Sequence, residues 1–399
     1  MIDPNIVIEQ SRIHVDRKNY DDAVNLLTET YKKMDSPEIL HTLLDLLYSL
    51  RNYSETRKVL EELLRRYSSY NKDNIRYYAI YKVKDCVQRI NHLEIKKIPD
   101  VELAKSKSWV MYNVSFMPFK GNYLFFRRTC NFEYDGGKYS NIASEKDMAK
   151  NNENYIEYRD SNLNLLWTKE IIDTIPRLCN HWELGVQDGR LFIHNEKLCF
   201  SGTTPDTNSR RKFQISLCTI NDFDLEKVDV TGSKIDSMVT ISILPLWGRL
   251  NDTDKNWLYF KDDLFINEWY PFTISQYDKE TGYTKIHKRK HLVWLAELRG
   301  SAGPIQFEDG YITLVHEVNF KENNKRCYYH RIVYHDSDCI PTKMTDVFYL
   351  EIHGVQYASG MNWFDGKIGI SYTIEDTNPR LMLIDPKTIV WNTTKELYI

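Results

Sequence analysis

The stretch His181 to Gly202 sets an acid and a base one residue apart: Asp188 and Arg190 flank Gly189 in a turn. An alternating run follows, Leu191-Phe192-Ile193-His194. Then come a polar turn, Asn195-Glu196-Lys197, and a second run, Leu198-Cys199-Phe200-Ser201-Gly202. That order predicts a hairpin with a charged pair at its mouth. Polar residues stand at comparable points of later and earlier stretches: Arg128 with Asn131, Lys255 with Asn256, Arg299 and His316, and Asp376. Cations of this kind hold an anion such as phosphate, Arg as a fork and Lys as a point charge. A carboxylate beside them is suited to general acid or base work. Singly, each signal is weak. An Asp in a DG turn is most often only a turn residue, and a His after an apolar strand is most often a strand-end polar group. Recurrence carries the case.

Strands must position these residues. From about Ser106 onward, short apolar or alternating runs are bounded by Gly, Asn and Asp. Five blocks share a strand, a DG-like turn and another strand. They contain Gly121–Phe126, the opening stretch, Trp257–Ile266, Ile305–Val315 and Trp363–Tyr372. Their spacing averages roughly 60 residues, the size of one four-stranded blade with long loops. The expected architecture is an all-β five-bladed β-propeller over residues 101–399, with two packed β-sandwiches as the alternative. A short helix is expected at Glu145 to Asn152. In a propeller the innermost strands line a central funnel, and a ligand there meets one or two residues from each blade.

Residues 1–100 read as an α-helical region. Asn19-Tyr20-Asp21-Asp22 and Asn52-Tyr53-Ser54-Glu55 are offset by 33 positions, and each precedes an amphipathic segment. Between them, Ser36-Pro37-Glu38 is a helix start, with Ser as cap and Pro at the first helical position. Helix pairs at this period resemble tetratricopeptide repeats. Such a region either offers a groove to a protein partner or caps the rest of the chain.

Composition bounds the partners. The 53 basic and 56 acidic residues give a net charge of −3, so neither nucleic acid nor membrane is expected as a partner. The aromatic content is high, with 27 Tyr, 16 Phe and 9 Trp. Aromatics suit sheet packing, and exposed rings also stack on sugars. Seven cysteines without a CxxC pair read as reduced thiols of a cytoplasmic protein, with no metal or other cofactor expected. The first residues carry no apolar core of signal-peptide length, and no run of about 18 apolar residues occurs.

Several segments resemble the β-mannoside phosphorylases and their mannosyltransferase relatives, which are five-bladed propellers. Glu183-x-Gly185-x-x-Asp188-x-Arg190-Leu191-Phe192 is similar to their E-x-G-x-E-D-P-R-[IVL]-F segment. Asp254-Lys255-Asn256-Trp257 resembles the D-K-[ND] segment. Gly300-Ser301-Ala302-Gly303-Pro304-Ile305, with Gly310-Tyr311 and Val315-His316-Glu317, resembles G-x-x-P-P-I … G-[WY]-L … YH-G. Ser371-Tyr372-Thr373-Ile374-Glu375-Asp376 resembles S-Y-G-x-x-D, and Asn113-x-Ser115 with Arg128-x-x-Asn131 resembles the N-P-S and R-x-x-N of the first blade.

The resemblance implies an enzyme that transfers a sugar, with mannose the first candidate, from or to an anionic group by inversion. It implies Asp188 as general acid. Arg190 and Lys255, joined by Arg128 and Arg299, would hold phosphate or a sugar phosphate. Asp376, with Asn131, Asn256 and His316, would bind sugar hydroxyls. Three departures stand out. E-D-P-R is Gln187-Asp188-Gly189-Arg190, S-Y-G is Ser371-Tyr372-Thr373, and the family's His-Arg after the D-K strand is Glu268-Trp269-Tyr270. An acid at that last point repels phosphate at close range. These changes point to a divergent transferase or to a propeller that binds glycans without turning them over. A protein-interaction scaffold is the non-enzymatic alternative.

Overall fold

The computed structural model describes residues 3–34, 36–50, 55, 59, 62, 87–101, 109–135, 138–141, 150–174, 176–179, 183–208, 211–221, 223, 237–243, 255–278, 280–281, 283–295, 298–320 and 326–393. They form two compact units, the first made chiefly of residues 1–88 and the second chiefly of residues 89–394.

The first unit contains helices α1 (Pro4–Asp16), α2 (Tyr20–Lys33) and α3 (Pro37–Ser49). Their starts follow from local chemistry. Asp3 accepts from the Asn5 backbone N–H with Pro4 in the first turn, and Ser36 Oγ accepts from the Ile39 N–H at 3.3 Å. The apolar faces meet in a core that includes Ala23, Leu27, Ile39, Leu40, Leu43 and Leu47. The second half of the expected repeat, from Asn52, lies almost wholly outside the described residues.

The second unit is a five-bladed β-propeller, not a pair of sandwiches. Blade 1 runs Val110–Phe119, Asn122–Cys130, Lys150–Arg159 and Leu165–Ile171. Blade 2 runs Gln187–His194, Lys197–Thr204, Gln214–Asn221 and Ser237–Ile243. Blade 3 runs Leu258–Lys261, Leu264–Trp269, Phe272–Asp278 and Tyr283–Lys290. Blade 4 holds Arg299–Phe307, Gly310–Phe320 and Arg326–His335, edged by Pro341–Met344 and Phe348–Tyr349. Blade 5 holds Gln356–Phe364, Lys367–Ile374 and Asn378–Ile384.

The outer strand of blade 5 is Glu94–Lys97, from the chain before blade 1, with Glu94 opposite Leu383 and Lys97 opposite Arg380. The last blade is thus completed by a strand that precedes blade 1 in the chain, which covers the edge of Asn378–Ile384 that would otherwise be open. This corrects the sequence reading in one respect: residues 94–97 belong to the sheet, not to a helical region reaching residue 100. The expected helix at Glu145 to Asn152 is corrected too. Its last residues open the strand Lys150–Arg159, and residues 142–149 lie outside the described set.

Each blade's first hairpin closes on two residues. Lys120-Gly121, Asn195-Glu196 and Asp365-Gly366 have positive φ at both positions, and Asp262 and Glu308 at the first. Turns of that hand match the right-handed twist of the strands, which is why Gly, Asn and Asp recur there. Aromatic rings join neighbouring blades. Phe126 meets Phe200 at 4.6 Å, Phe192 stacks on Tyr259 at 4.0 Å, and Tyr123 stacks on Phe364 at 4.0 Å. Much of the aromatic content is therefore spent between blades.

A buried ion triad ties the closing strand to blade 1. Glu157 accepts from Arg127 Nη2 at 3.1 Å and from Arg159 Nε at 2.6 Å, and Arg127 Nε also donates to it. Both arginines donate to the Pro99 carbonyl at 3.0 Å. The three side chains are at most 1% exposed.

Candidate functional site

The inner strands bring their first residues together at one end of the propeller. Bulges shape that end. Register shifts fall between Met111 and Val114, Gln187 and Arg190, Gly300 and Ala302, and Ala358 and Gly360. A bulge adds an unpaired residue and re-aims a side chain. In blade 2 the bulge is Asp188-Gly189, with Asp188 at φ 55°. It turns the Asp188 carboxylate toward blade 1. There Oδ1 accepts from Asn113 Nδ2 at 2.6 Å and from Arg128 Nη1 at 2.9 Å. Ser115 Oγ donates to the Gly189 carbonyl at 2.7 Å and fixes the bulge.

Gly189 is required by packing. A Cβ there would lie 2.4 Å from the Phe126 ring, so a proline cannot sit at 189 while Phe126 fills that space. This accounts for one departure from E-D-P-R. Gly189→Ala is expected to destabilise the unit by about 1–3 kcal/mol through overpacking, read as a lower denaturation midpoint. Phe126→Leu is expected to recover part of the loss.

Arg128 is 5% exposed. Its Nε donates to Asn152 Oδ1 at 2.6 Å, and its guanidinium lies 5.2 Å from the Tyr112 ring centroid. Burial pushes the Asp188 carboxyl up, but the Arg128 and Lys255 charges, the Asn113 hydrogen bond and Arg190 together outweigh it. Asp188 is held below the usual carboxylate range and is ionised at neutral pH. In that state it can accept a proton or face a developing positive charge.

Arg190 serves as a brace. Nε donates to the Ser301 carbonyl at 2.7 Å, Nη1 to the Asp188 carbonyl at 3.0 Å, and Nη2 to Asn256 Oδ1 at 3.3 Å and to the Tyr357 hydroxyl. Tyr357 Oη donates to the same Asn256 oxygen at 2.9 Å. One guanidinium thus links blade 2 to blades 4 and 5 and to the segment entering blade 3. Asn256, with φ 67°, turns inward to complete the brace. On the hairpin side of Arg190 the inner strands enclose a cavity of about 220 Å³, lined by residues that include Leu191, Tyr259, Pro304 and Met361.

The remaining expected residues separate into neighbours of Asp188 and supporting groups. Lys255 Nζ lies 3.9 Å from the Phe213 ring centroid, and its charge reaches Asp188. Arg299 is exposed at the first position of the blade 4 inner strand. His316 is 2% exposed, and its Nδ1 lies 2.8 Å from Ser301 Oγ. Burial, His330, Arg299 and Arg190 all push its pKa far down, so it is neutral. Asn131 is buried, and its Oδ1 accepts from the Asn151 N–H at 2.7 Å; this contact braces the end of blade 1. Asp376 follows Glu375 in the turn after Lys367–Ile374, with φ 59°. It is partly exposed and close enough to Asp188, Arg128 and Arg326 to feel their charges. Glu268, expected to repel phosphate, has Arg289 Nη2 at 3.6 Å and accepts from Thr273 Oγ1 at 3.2 Å.

Four participants escaped the sequence reading: Tyr357, Tyr328 (its ring centroid 6.1 Å from that of Tyr357 and 5.6 Å from that of His316), Arg326 and Asn152. Tyr357 was the most findable, since it sits near the start of the blade 5 inner strand, the position Arg299 takes in blade 4. Tyr328, Arg326 and Asn152 lie on third strands and carry no local signature.

A five-bladed propeller with an ionised carboxylate among cations at its inner-strand end is the class defined by this fold and geometry. Neither a family model nor a curated protein matches the sequence, whereas solved structures do. A protein from Bacteroides thetaiotaomicron, provisionally described as a glycosidase, superposes with a TM-score of 0.50 at 12% identity, covering 75% of this chain and 97% of its own. The β-1,2-mannobiose phosphorylase of Listeria innocua matches with a TM-score of 0.48 at 12% identity, over 77% of this chain and 98% of its own. A mannose phosphorylase from Leishmania mexicana, solved with phosphate, matches with a TM-score of 0.42 at 12% identity, over 81% and 97%. These neighbours include mannoside phosphorylases, the family that the sequence motifs resemble. At such identities the likeness shows the fold alone.

Proposed function

We propose that this chain is a carbohydrate-active enzyme, phosphorylase-like, that makes or breaks a glycosidic bond with an anionic co-substrate. The observation that supports this reading best is the convergence around Asp188. One ionised carboxylate is met by Arg128 and Asn113 from blade 1 and by the charges of Lys255 and Arg190. The ordered motif resemblance adds mannose as the first sugar to try. In this reading Asp188 faces the reacting carbon, where a negative charge stabilises an oxocarbenium-like centre. Lys255 and Arg299 hold the phosphate or sugar phosphate. Asp376, His316, Asn131 and Asn256 shape the sugar pocket, directly or through the brace.

The test is a thermal-shift titration with mannose 1-phosphate, inorganic phosphate and neutral mannose, followed by product analysis of aryl β-mannosides incubated with phosphate. Binding to the native state at about 100 times Kd adds about 2.7 kcal/mol of stability, a rise of several degrees. The expected result is a rise with the anions that Lys255→Ala reduces at least tenfold in affinity, together with formation of mannose 1-phosphate. No shift and no product across the sugar panel would reject the enzyme reading.

A second reading, a glycan-binding or protein-interaction scaffold, has one observation in its favour. Arg190 makes four hydrogen bonds to the protein itself, so the family's phosphate-site arginine is engaged as a brace. Binding of a neutral glycan without any turnover would select it.

A further inference from the structure

We propose that the axial cavity on the hairpin side of Arg190 is a second binding site, for a small uncharged aromatic molecule. The inference goes beyond the phosphorylase-like reading and does not depend on it.

Inner strands of all five blades wall this cavity. Arg190 lines the end nearest Asp188. Ile193, 40% exposed, lines it farther along the same strand, one residue before its end at His194. The void follows from residue size. Ala302, Gly303, Ser359 and Gly360 line it from blades 4 and 5, and side chains this short do not fill the axis. The walls do not collapse into the space, because each belongs to a hydrogen-bonded sheet and the sheets are wedged apart by rings such as Phe192 stacked on Tyr259 at 4.0 Å. The site is therefore preformed. Its lining forgoes dispersion contacts that a guest would restore.

The chemistry of the walls selects the guest. Ser115 Oγ already donates to the Gly189 carbonyl at 2.7 Å, and Ser359 Oγ to the Val114 carbonyl at 3.0 Å. Arg190, the one charged residue among the described residues of the lining, is held by four bonds to the protein. The Tyr259 hydroxyl is turned to His194, 3.4 Å from Nδ1. A sugar here would bury several hydroxyls without partners, and an anion would find no uncommitted cation, so both are disfavoured. Phe116, Tyr259 and Phe260 offer ring contacts, and Met117 and Met361 offer thioethers that pack against an aromatic edge. One polar group is unspent. Asn362 Oδ1 accepts from the Trp363 N–H at 3.0 Å, while its Nδ2 has no partner among the described residues. It can donate to one acceptor on the guest. The cavity measures about 220 Å³, against roughly 150 Å³ for a cavity that takes benzene. Two fused rings with one acceptor atom fit that space and that donor.

The test uses the full chain labelled with ¹³C at the methionine methyls, titrated with quinoline, a neutral bicycle with one acceptor nitrogen. The methyls of Met117 and Met361 should shift saturably, while that of Met344, buried on the outer side of blade 4, stays still. The expected dissociation constant is roughly millimolar or lower, the reach of about ten non-hydrogen atoms. Mannose and inorganic phosphate should leave both reporters unmoved. Ile193→Trp and, separately, Leu191→Trp should each weaken quinoline at least tenfold by occupying the void. Asn362→Leu should weaken quinoline several-fold but not indole, which has no acceptor nitrogen. Melting curves show which variants are folded, and a rise with quinoline in the wild type that either folded Trp variant loses supports the site. No shift up to the solubility of quinoline, equal shifts at all methionines, or binding unchanged in a folded Trp variant would overturn the proposal.

Discussion

Asp188→Asn should uncouple binding from chemistry. Asn keeps the shape of the side chain but removes the charge that faces Arg128, Lys255 and Arg190. Turnover of an aryl β-mannoside in phosphate is expected to fall roughly 10²–10³-fold, the usual cost of losing a preorganised charge beside a reacting centre. Phosphate affinity is expected to hold or rise, because Arg128, now without its carboxylate partner at 2.9 Å, presents its full charge to an anion. Lys255→Ala should do the opposite, losing phosphate affinity while an uncharged sugar still binds. The pair is read by isothermal titration with inorganic phosphate beside an initial-rate assay. An Asp188→Asn protein that loses phosphate binding and turnover together would mean that the carboxylate only holds the bulge in place, and the site reading would fall.

The second large effect concerns stability. Glu157 is fully buried between Arg127 and Arg159, and both arginines also hold the Pro99 carbonyl. Glu157→Gln leaves two buried guanidiniums without a counter-charge. Breaking such a group costs about 3–5 kcal/mol, on the order of 10 °C in melting temperature for a unit of this size. The same group makes stability pH-dependent. Burial pushes the Glu157 carboxyl up, but Arg127 and Arg159 outweigh it, so its folded pKa lies below the ordinary 4.5. Its contribution is therefore complete above pH 4.5 and is lost as pH falls through the lower folded value. Urea midpoints from pH 3 to 7 should drop steeply at the acid end in the wild type and more shallowly in Glu157→Gln. A replacement that removes all three charges, Arg127→Met with Glu157→Leu and Arg159→Met, should recover much of the loss, as buried triads exchanged for apolar groups often do. A midpoint unchanged by Glu157→Gln would show that the triad does not hold the closing segment.

Local chemistry made much of this protein legible from residue order. Strand alternation and the five two-residue turns named the blades because their physics is short-range: positive φ at Asn195, Asp365 and Gly366 selects residue types that can be read directly. The start of α3 was legible for the same reason, a Ser cap with Pro behind it. Asp188 stood out because the bulge that carries it is also a local event, a charged residue beside a glycine at the entrance to a hairpin.

What the order of residues left open depends on distance along the chain. The strand Glu94–Lys97 closes a blade nearly 290 residues away, and its own pattern does not name its partner. Arg190 looked like a ligand for phosphate, yet its donors reach Ser301, Asn256 and Tyr357, residues 66 to 167 positions distant. Asp188 and Asp376 are the same residue type in similar turns, and their sequence neighbours give no reason to rank their proton affinities. Arg128 and Asn113 keep the first ionised, while burial and then the Asp188 charge raise the pKa of the second. The sequence alone determined the fold class and the residues able to do chemistry, because turns and alternation are local. The tertiary structure decided which of them brace and which face a ligand, because burial, charge pairing and hydrogen bonding arise only when the five blades meet.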